Sequence, residues 1–140
     1  MMKLIIAICV STMMLANTAL AASNEQIDLL WDEFSVNERI DDNEAFKILT
    51  RIIDKEPKNI RALKSATYLK LRQGKNEDAL IFTEKVLKIN PDDESFRLQK
   101  AYLLNQLGRN KDALVVFESL KDANDRSIAD TACTAIKNLS

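Results

Sequence analysis

The 140-residue sequence has no histidine, two glycines, two prolines, two cysteines and one tryptophan. Without histidine the chain can build no Ser-His-Asp or Cys-His catalytic unit and no histidine metal site. So few glycines and prolines leave little for phosphate-cradling loops, tight hairpins or a disordered linker. No block of one charge sign is present: 20 Lys and Arg stand against 21 Asp and Glu. The clustered basic surface that gives nucleic-acid affinity is therefore missing, and no nucleic-acid partner is expected. The best calcium-like run, Asp122-x-Asn124-x-Arg126, puts Arg126 at an oxygen-ligand position, Ser127 at the turn glycine and Cys133 at the bidentate glutamate. Asp41-Asp42 and Asp92-Asp93 stand where helices should begin, so capping accounts for them. No metal, cofactor or catalytic activity is expected.

The N-terminal stretch has its own logic. Lys3 precedes an apolar run from Leu4 to Leu15, and Ala19-Leu20-Ala21 follows as a small-residue site. That order of charge, apolar run and A-x-A pattern is that of a secretory signal peptide cut after Ala21. Cleavage would leave 119 residues, one domain in length, in the periplasm or outside the cell. The alternative is an N-terminal membrane anchor, because no charge falls between Lys3 and Glu25. Cleavage would remove Cys9 and leave Cys133 with no internal disulfide partner. Cys133 lies beside the apolar stripe Ile128, Ala132, Ala135 and Leu139, so it is expected to be buried as a small hydrophobe; pairing between chains stays open.

The dominant feature is a repeat. Residues 60–93 written above 94–127 give nine identities without a gap: Tyr68/Tyr102, Leu69/Leu103, Gly74/Gly108, Asn76/Asn110, Asp78/Asp112, Ala79/Ala113, Leu80/Leu114, Glu84/Glu118 and Asn90/Asn124. The register extends backwards to Ala45 above Ala79 and Pro57 above Pro91, so the period is 34 residues. Within each unit the second half is a helical pattern. Ala45, Leu49 and Ile52, then Ala79, Thr83 and Val86, then Ala113, Phe117 and Leu120 recur at i, i+4 and i+7 and share one face. Asp42, Asn76 and Asn110 are placed to cap these helices, with Glu44, Asp78 and Asp112 complementing the dipole two residues on. Gly74 and Gly108 close the preceding helices in a left-handed conformation, and Pro57 and Pro91 stop the second ones. Asn59 and Asp92 can cap the helices that begin after those prolines. Ser23 with Gln26 and Ser127 with Asp130 each fit a capping box.

These residues resemble the tetratricopeptide repeat, a 34-residue pair of antiparallel helices. The match is carried by Gly74-Lys75-Asn76-Glu77-Asp78-Ala79-Leu80 with Asn90-Pro91, and by Gly108-Arg109-Asn110-Lys111-Asp112-Ala113-Leu114 with Phe117. It departs in the first helices, where Arg97 and Lys100 replace large apolar residues and Glu33 a small one. The resemblance implies an all-α solenoid within 22–140: three helix-turn-helix repeats (about 26–59, 60–93 and 94–127) plus a capping helix over 128–139.

It also implies a concave side lined by the first helix of each pair. Phe34, Tyr68 and Tyr102 share one repeat position and form the expected aromatic ladder, with Arg61, Lys64 and Arg72 beside it for a carboxylate or acidic peptide. The other reading of these residues is packing between helices and a solvated face, and Trp31 fits either. The function expected is a non-catalytic adaptor for a protein or peptide, acting as a monomer or weak homodimer in a bacterial envelope. The second is an accessory subunit of a membrane-associated assembly, secretion or polysaccharide-export machine. A glycan on the tyrosines stays open.

Overall fold

The computed structural model describes the backbone of residues 2–139 and the side chains of residues 20–139. The side chains of the leader, Lys3 and Leu4 to Leu15 with Cys9, lie outside the described residues. Among these residues all regular structure is helical: α1 (Met2–Asn37), α2 (Asp42–Lys55), α3 (Ile60–Arg72), α4 (Asn76–Ile89), α5 (Glu94–Gln106), α6 (Asn110–Glu118) and α7 (Arg126–Leu139). Packing divides the chain into two compact units, Met1–Ile52 and Ile53–Ser140.

In the first unit α1 runs unbroken through Ser23, so Ser23 and Gln26 do not start a helix. A short turn leads into α2, and the Arg51 guanidinium reaches back to the Glu33 carboxylate at 3.0 Å. Glu33 thus meets a cation on the neighbouring helix where the repeat usually has a small residue. Ile27, Leu30 and Phe34 are buried on α1, and Ala45, Ile48, Leu49 and Ile52 on α2. The α2 cap comes from Asp41, whose Oδ1 accepts from the N–H groups of Asn43 at 2.8 Å and Glu44 at 3.3 Å. Asp42 is instead the first residue of the helix.

In the second unit α3 packs on α4, α4 on α5, α5 on α6, and α7 on both α5 and α6. The larger core joins Ala79, Leu80, Ala101, Leu103, Leu104, Ala113, Phe117, Leu120, Ile128 and Ala132, and a smaller cluster joins Leu63, Val86 and Phe96. All nine residues of the three trios have 0% exposure, although α6 ends at Glu118 and Leu120 reaches the core from the turn that follows it. Thr83 is tolerated there because its Oγ1 donates to the Ala79 carbonyl at 2.8 Å, leaving no unpaired hydroxyl in the core.

Glycine ends both first helices of this unit. Gly74 and Gly108 have φ of 70° and 74°, a region that costs an L-residue with a Cβ. After α3, Lys75 N–H donates to the Lys70 carbonyl and Gly74 N–H to that of Leu71, both at 2.9 Å. After α5, Arg109 N–H donates to Leu104 at 2.8 Å and Gly108 N–H to Asn105 at 2.9 Å. These are paired Schellman bonds, which satisfy the terminal carbonyls. A Cβ at either glycine would meet no atom within 4 Å, so backbone conformation alone requires glycine.

The helix starts differ from expectation by small offsets. Asn59 caps α3 as expected, accepting from Ala62 N–H at 3.0 Å. Asp93, not Asp92, caps α5 by accepting from Phe96 N–H at 3.0 Å. Asn76 and Asn110 are first helical residues, and their helices have no side-chain cap. At α7 Asp125 accepts from Ser127 N–H at 2.8 Å, taking the role expected of Ser127. The preceding loop is clamped by Glu94, whose carboxylate accepts from the N–H groups of Asn124 at 2.7 Å and Asp125 at 3.1 Å. Those backbone bonds hold the Glu94 carboxyl below its ordinary value. Cys133 is half-buried and free, less enclosed than expected.

Candidate functional site

A first helix must bury one face and can offer the other. On α3, Arg61, Tyr68 and Arg72 fall at i, i+7 and i+11, and all three are exposed. On α5, Tyr102 occupies the position equivalent to Tyr68. Tyr68 is 56% exposed and Tyr102 38%. Each ring is braced from behind by a buried phenylalanine. Tyr68 meets Phe96 edge-on with centroids 5.9 Å apart at 72°, and Tyr102 meets Phe117 at 5.3 Å and 80°. Such edge-to-face pairs hold a ring in place while its outer surface stays available. Each tyrosine thus packs between helices and also presents area to solvent, so the two sequence readings of this position are not exclusive.

Lys64 and Phe34 are placed differently from the remaining site residues. Lys64 Nζ lies 2.6 Å from the Asp93 carboxylate and 4.7 Å from the Phe96 ring centroid. Burial pushes the Asp93 carboxyl upward, but bonds from Lys64 and from Phe96 N–H outweigh it and hold the group below its ordinary value. Lys64 therefore ties α3 to the start of α5, and its charge is spent inside the protein. Phe34 is only 7% exposed and packs edge-on against Trp31, with centroids 5.6 Å apart. It belongs to the core of the first unit and offers no ring to a ligand. The polar intrusions in α5 are also internal: Lys100 pairs with Glu84 at 2.9 Å, and Arg97 donates to Ser119 Oγ at 2.7 Å.

The capping helix contributes more than a cover. A hollow of about 380 Å³ lies between α5, α6 and α7, with Tyr102 and Phe117 on one side and Ala135 and Leu139 on another. Asn105, Asp130, Thr131, Thr134 and Asn138 supply its polar lining. The Thr131 and Thr134 hydroxyls donate to the carbonyls of Ser127 and Asp130, which leaves their oxygens as acceptors. Sequence reasoning missed these α7 residues because the last helix has no repeat counterpart. The available signal was Asp130, Thr134 and Asn138 at spacing four, opposite buried Ile128 and Ala132. Among the described residues, no group of three or more Cys, Asp or Glu is placed to hold a metal ion.

This arrangement matches solved structures over most of its length. PcrH, solved in complex with the chaperone-binding region of PopD, superposes with a TM-score of 0.66 at 16% identity, covering 83% of this chain and 92% of that one. The Yersinia enterocolitica type III secretion chaperone SycD, in complex with a peptide of the translocator YopD, gives 0.66 at 13% identity, covering 84% and 92%. The TPR2B domain of yeast Sti1, in its pHsp70 complex, gives 0.62 at 16%, covering 84% and 96%. The chain has the tetratricopeptide-repeat fold. No protein-family model matches the sequence. No curated protein matches it either. At these identities the repeat fold is what the chain shares with PcrH, SycD and Sti1.

Proposed function

We propose that this chain is a non-catalytic adaptor that holds a protein segment or peptide on the face formed by α3, α5 and α7. The observation that carries it is the pair of exposed tyrosines at one repeat position, each fixed by a buried phenylalanine. Rigid aromatic area of this kind suits recognition because little side-chain freedom is lost on binding. Arg61 and Arg72 stand about 16 Å apart on the α3 stripe that carries Tyr68, and they favour carboxylates at two points along the ligand. PcrH, SycD and the Sti1 domain each carry a protein or peptide segment on the same fold, which supports this reading. The signal-like start, with its cut after Ala21, supports an adaptor that works in the periplasm or outside the cell.

The test is selection of short random peptides on the full chain, followed by titration of the enriched sequences. Tyr68→Ala with Tyr102→Ala is expected to weaken their binding by about tenfold or more. Unchanged affinity would remove the tyrosines from the site.

A second reading is an accessory subunit docked on an envelope assembly, secretion or export machine. It is favoured by a separate surface: Leu29 and Val36, seven residues apart on α1, are 61% and 62% exposed, and Ile40 beyond them is 76% exposed. Large exposed side chains grouped this way commonly mark docking surfaces. Loss of the protein from the membrane fraction on Leu29→Ser/Val36→Ser/Ile40→Ser would favour the machine. Retention of peptide binding in that variant would show that the two surfaces act separately.

A further inference from the structure

Away from the tyrosine face, the second unit has a hollow of about 520 Å³ lined by Ile53, Pro57, Lys58, Lys85, Lys88 and Ile89. Its charged lining is three lysines and no acid. Lysine in the last turn of a helix complements the dipole, which accounts for Lys88 near the end of α4. It does not account for Lys58, which sits on the loop before α3, nor for the convergence of all three on one cavity. Among the described residues none of the three takes part in an ion pair. Of the carboxylates close in sequence, Glu84 pairs with Lys100 at 2.9 Å, and Glu56, which accepts from the Asn59 amide at 2.6 Å, lines an adjoining hollow with Pro57, Lys58 and Asn59 instead of this one. Asp54 and Asp92 do not line the hollow.

The floor is apolar. Ile53 and Ile89 are half-buried against the cluster of Leu63, Val86 and Phe96. Lys85 Nζ lies over the Phe82 ring at 5.0 Å, a cation–π contact that an exposed lysine exchanges readily for an anion. Ile81, one turn before Lys85 on the same stripe of α4, is 53% exposed.

We propose that this hollow binds the phosphate headgroup of an anionic lipid, with Lys58, Lys85 and Lys88 around the phosphate and the adjoining hydrocarbon on Ile53, Pro57 and Ile89. Three lysines lining one hollow with no acid among them match a compact multivalent anion. An acidic peptide would be drawn by the charge alone and would leave the isoleucine floor without a purpose. The site shares no residue with the tyrosine face, so each stands or falls separately.

Three water-soluble probes decide it on the full chain by NMR: dihexanoyl phosphatidic acid below its micelle concentration, dihexanoyl phosphatidylcholine, and inorganic phosphate. Phosphatidic acid is expected to shift the Ile53 and Ile89 methyl signals saturably and to bind roughly tenfold or more tightly than phosphate, with phosphatidylcholine giving no saturable shift. Lys58→Gln/Lys85→Gln/Lys88→Gln should abolish the phosphatidic acid shifts and leave the helical circular dichroism unchanged, because all three side chains are exposed. Equal affinity for phosphate and phosphatidic acid would mean a free-anion site and overturn the proposal. So would equal response to phosphatidylcholine, or binding that survives the triple substitution.

Discussion

The same three positions of the 34-residue period have opposite fates in α1 and α3. On α1 they are Ile27, Leu30 and Phe34, all buried; on α3 they are Arg61, Lys64 and Tyr68, with Arg61 and Tyr68 exposed and Lys64 half-buried. The reverse also holds. Leu29 and Val36 are exposed, while their α3 equivalents Leu63 and Lys70 are buried. A repeat period sets which segments pair as helices, but rotation of each helix about its own axis is set by its most apolar stripe and by the surface that stripe packs against. The α1 sequence is apolar on several sides, so tertiary packing chose the stripe; α3 has only one apolar side. The tyrosine face therefore belongs to the second unit, and the first unit buries Phe34 at the equivalent position.

The sharpest way to break this comparison is to truncate equivalent aromatics. Phe34→Ala should destabilise the protein by about 3 kcal/mol, and Tyr68→Ala by less than about 1 kcal/mol, read from urea unfolding. Equal costs would mean that both rings do the same work. Asp93→Ala removes the α5 cap and the partner of Lys64 together, and should cost about 1–2 kcal/mol in the same assay. Replacing Gly74 by alanine forces a Cβ into the left-handed region and should cost about 1 kcal/mol, with Gly108→Ala alike because the two turns share their geometry.

The smallest effect is a pH dependence confined to the second unit. Asp93 and Glu94 are both held below their ordinary values of 3.8 and 4.5, so the folded state binds fewer protons than the unfolded chain in that region. Their contribution is complete above about pH 4.5 and is lost as pH falls through the lower folded-state values. Glu94→Gln should flatten the acid limb of a plot of urea midpoint against pH. An unchanged limb would show that the clamp on Asn124 and Asp125 does not form in solution.

The second helices were legible in advance because alanine and two further core residues recur at fixed places, with Thr83 the one polar member; all nine are fully enclosed. The glycine turns were legible because only glycine adopts positive φ without strain. Caps at α2, α5 and α7 were legible to within a residue or two, since Asp41 beside Asp42, Asp93 beside Asp92 and Asp125 before Ser127 offer similar side chains, whereas the caps expected of Asn76 and Asn110 do not form. Lys64 illustrates a different limit. Its charge and helix face could be read, but Asp93, 29 residues away, could be found only in three dimensions. Tyr68 and Tyr102 were visible through the period, whereas the polar α7 wall of the hollow beside Tyr102 lies outside any repeat.

The most direct test of the binding face is site-specific photo-crosslinking in cells, with p-benzoyl-phenylalanine introduced singly at Tyr68, Tyr102 and Val115. Val115 is 70% exposed on α6 and serves as an apolar control more accessible than either tyrosine. Discrete protein adducts are expected from positions 68 and 102 and none from 115. Adducts from 115 with none from the two tyrosine positions would contradict the assignment and move the partner to the second helices.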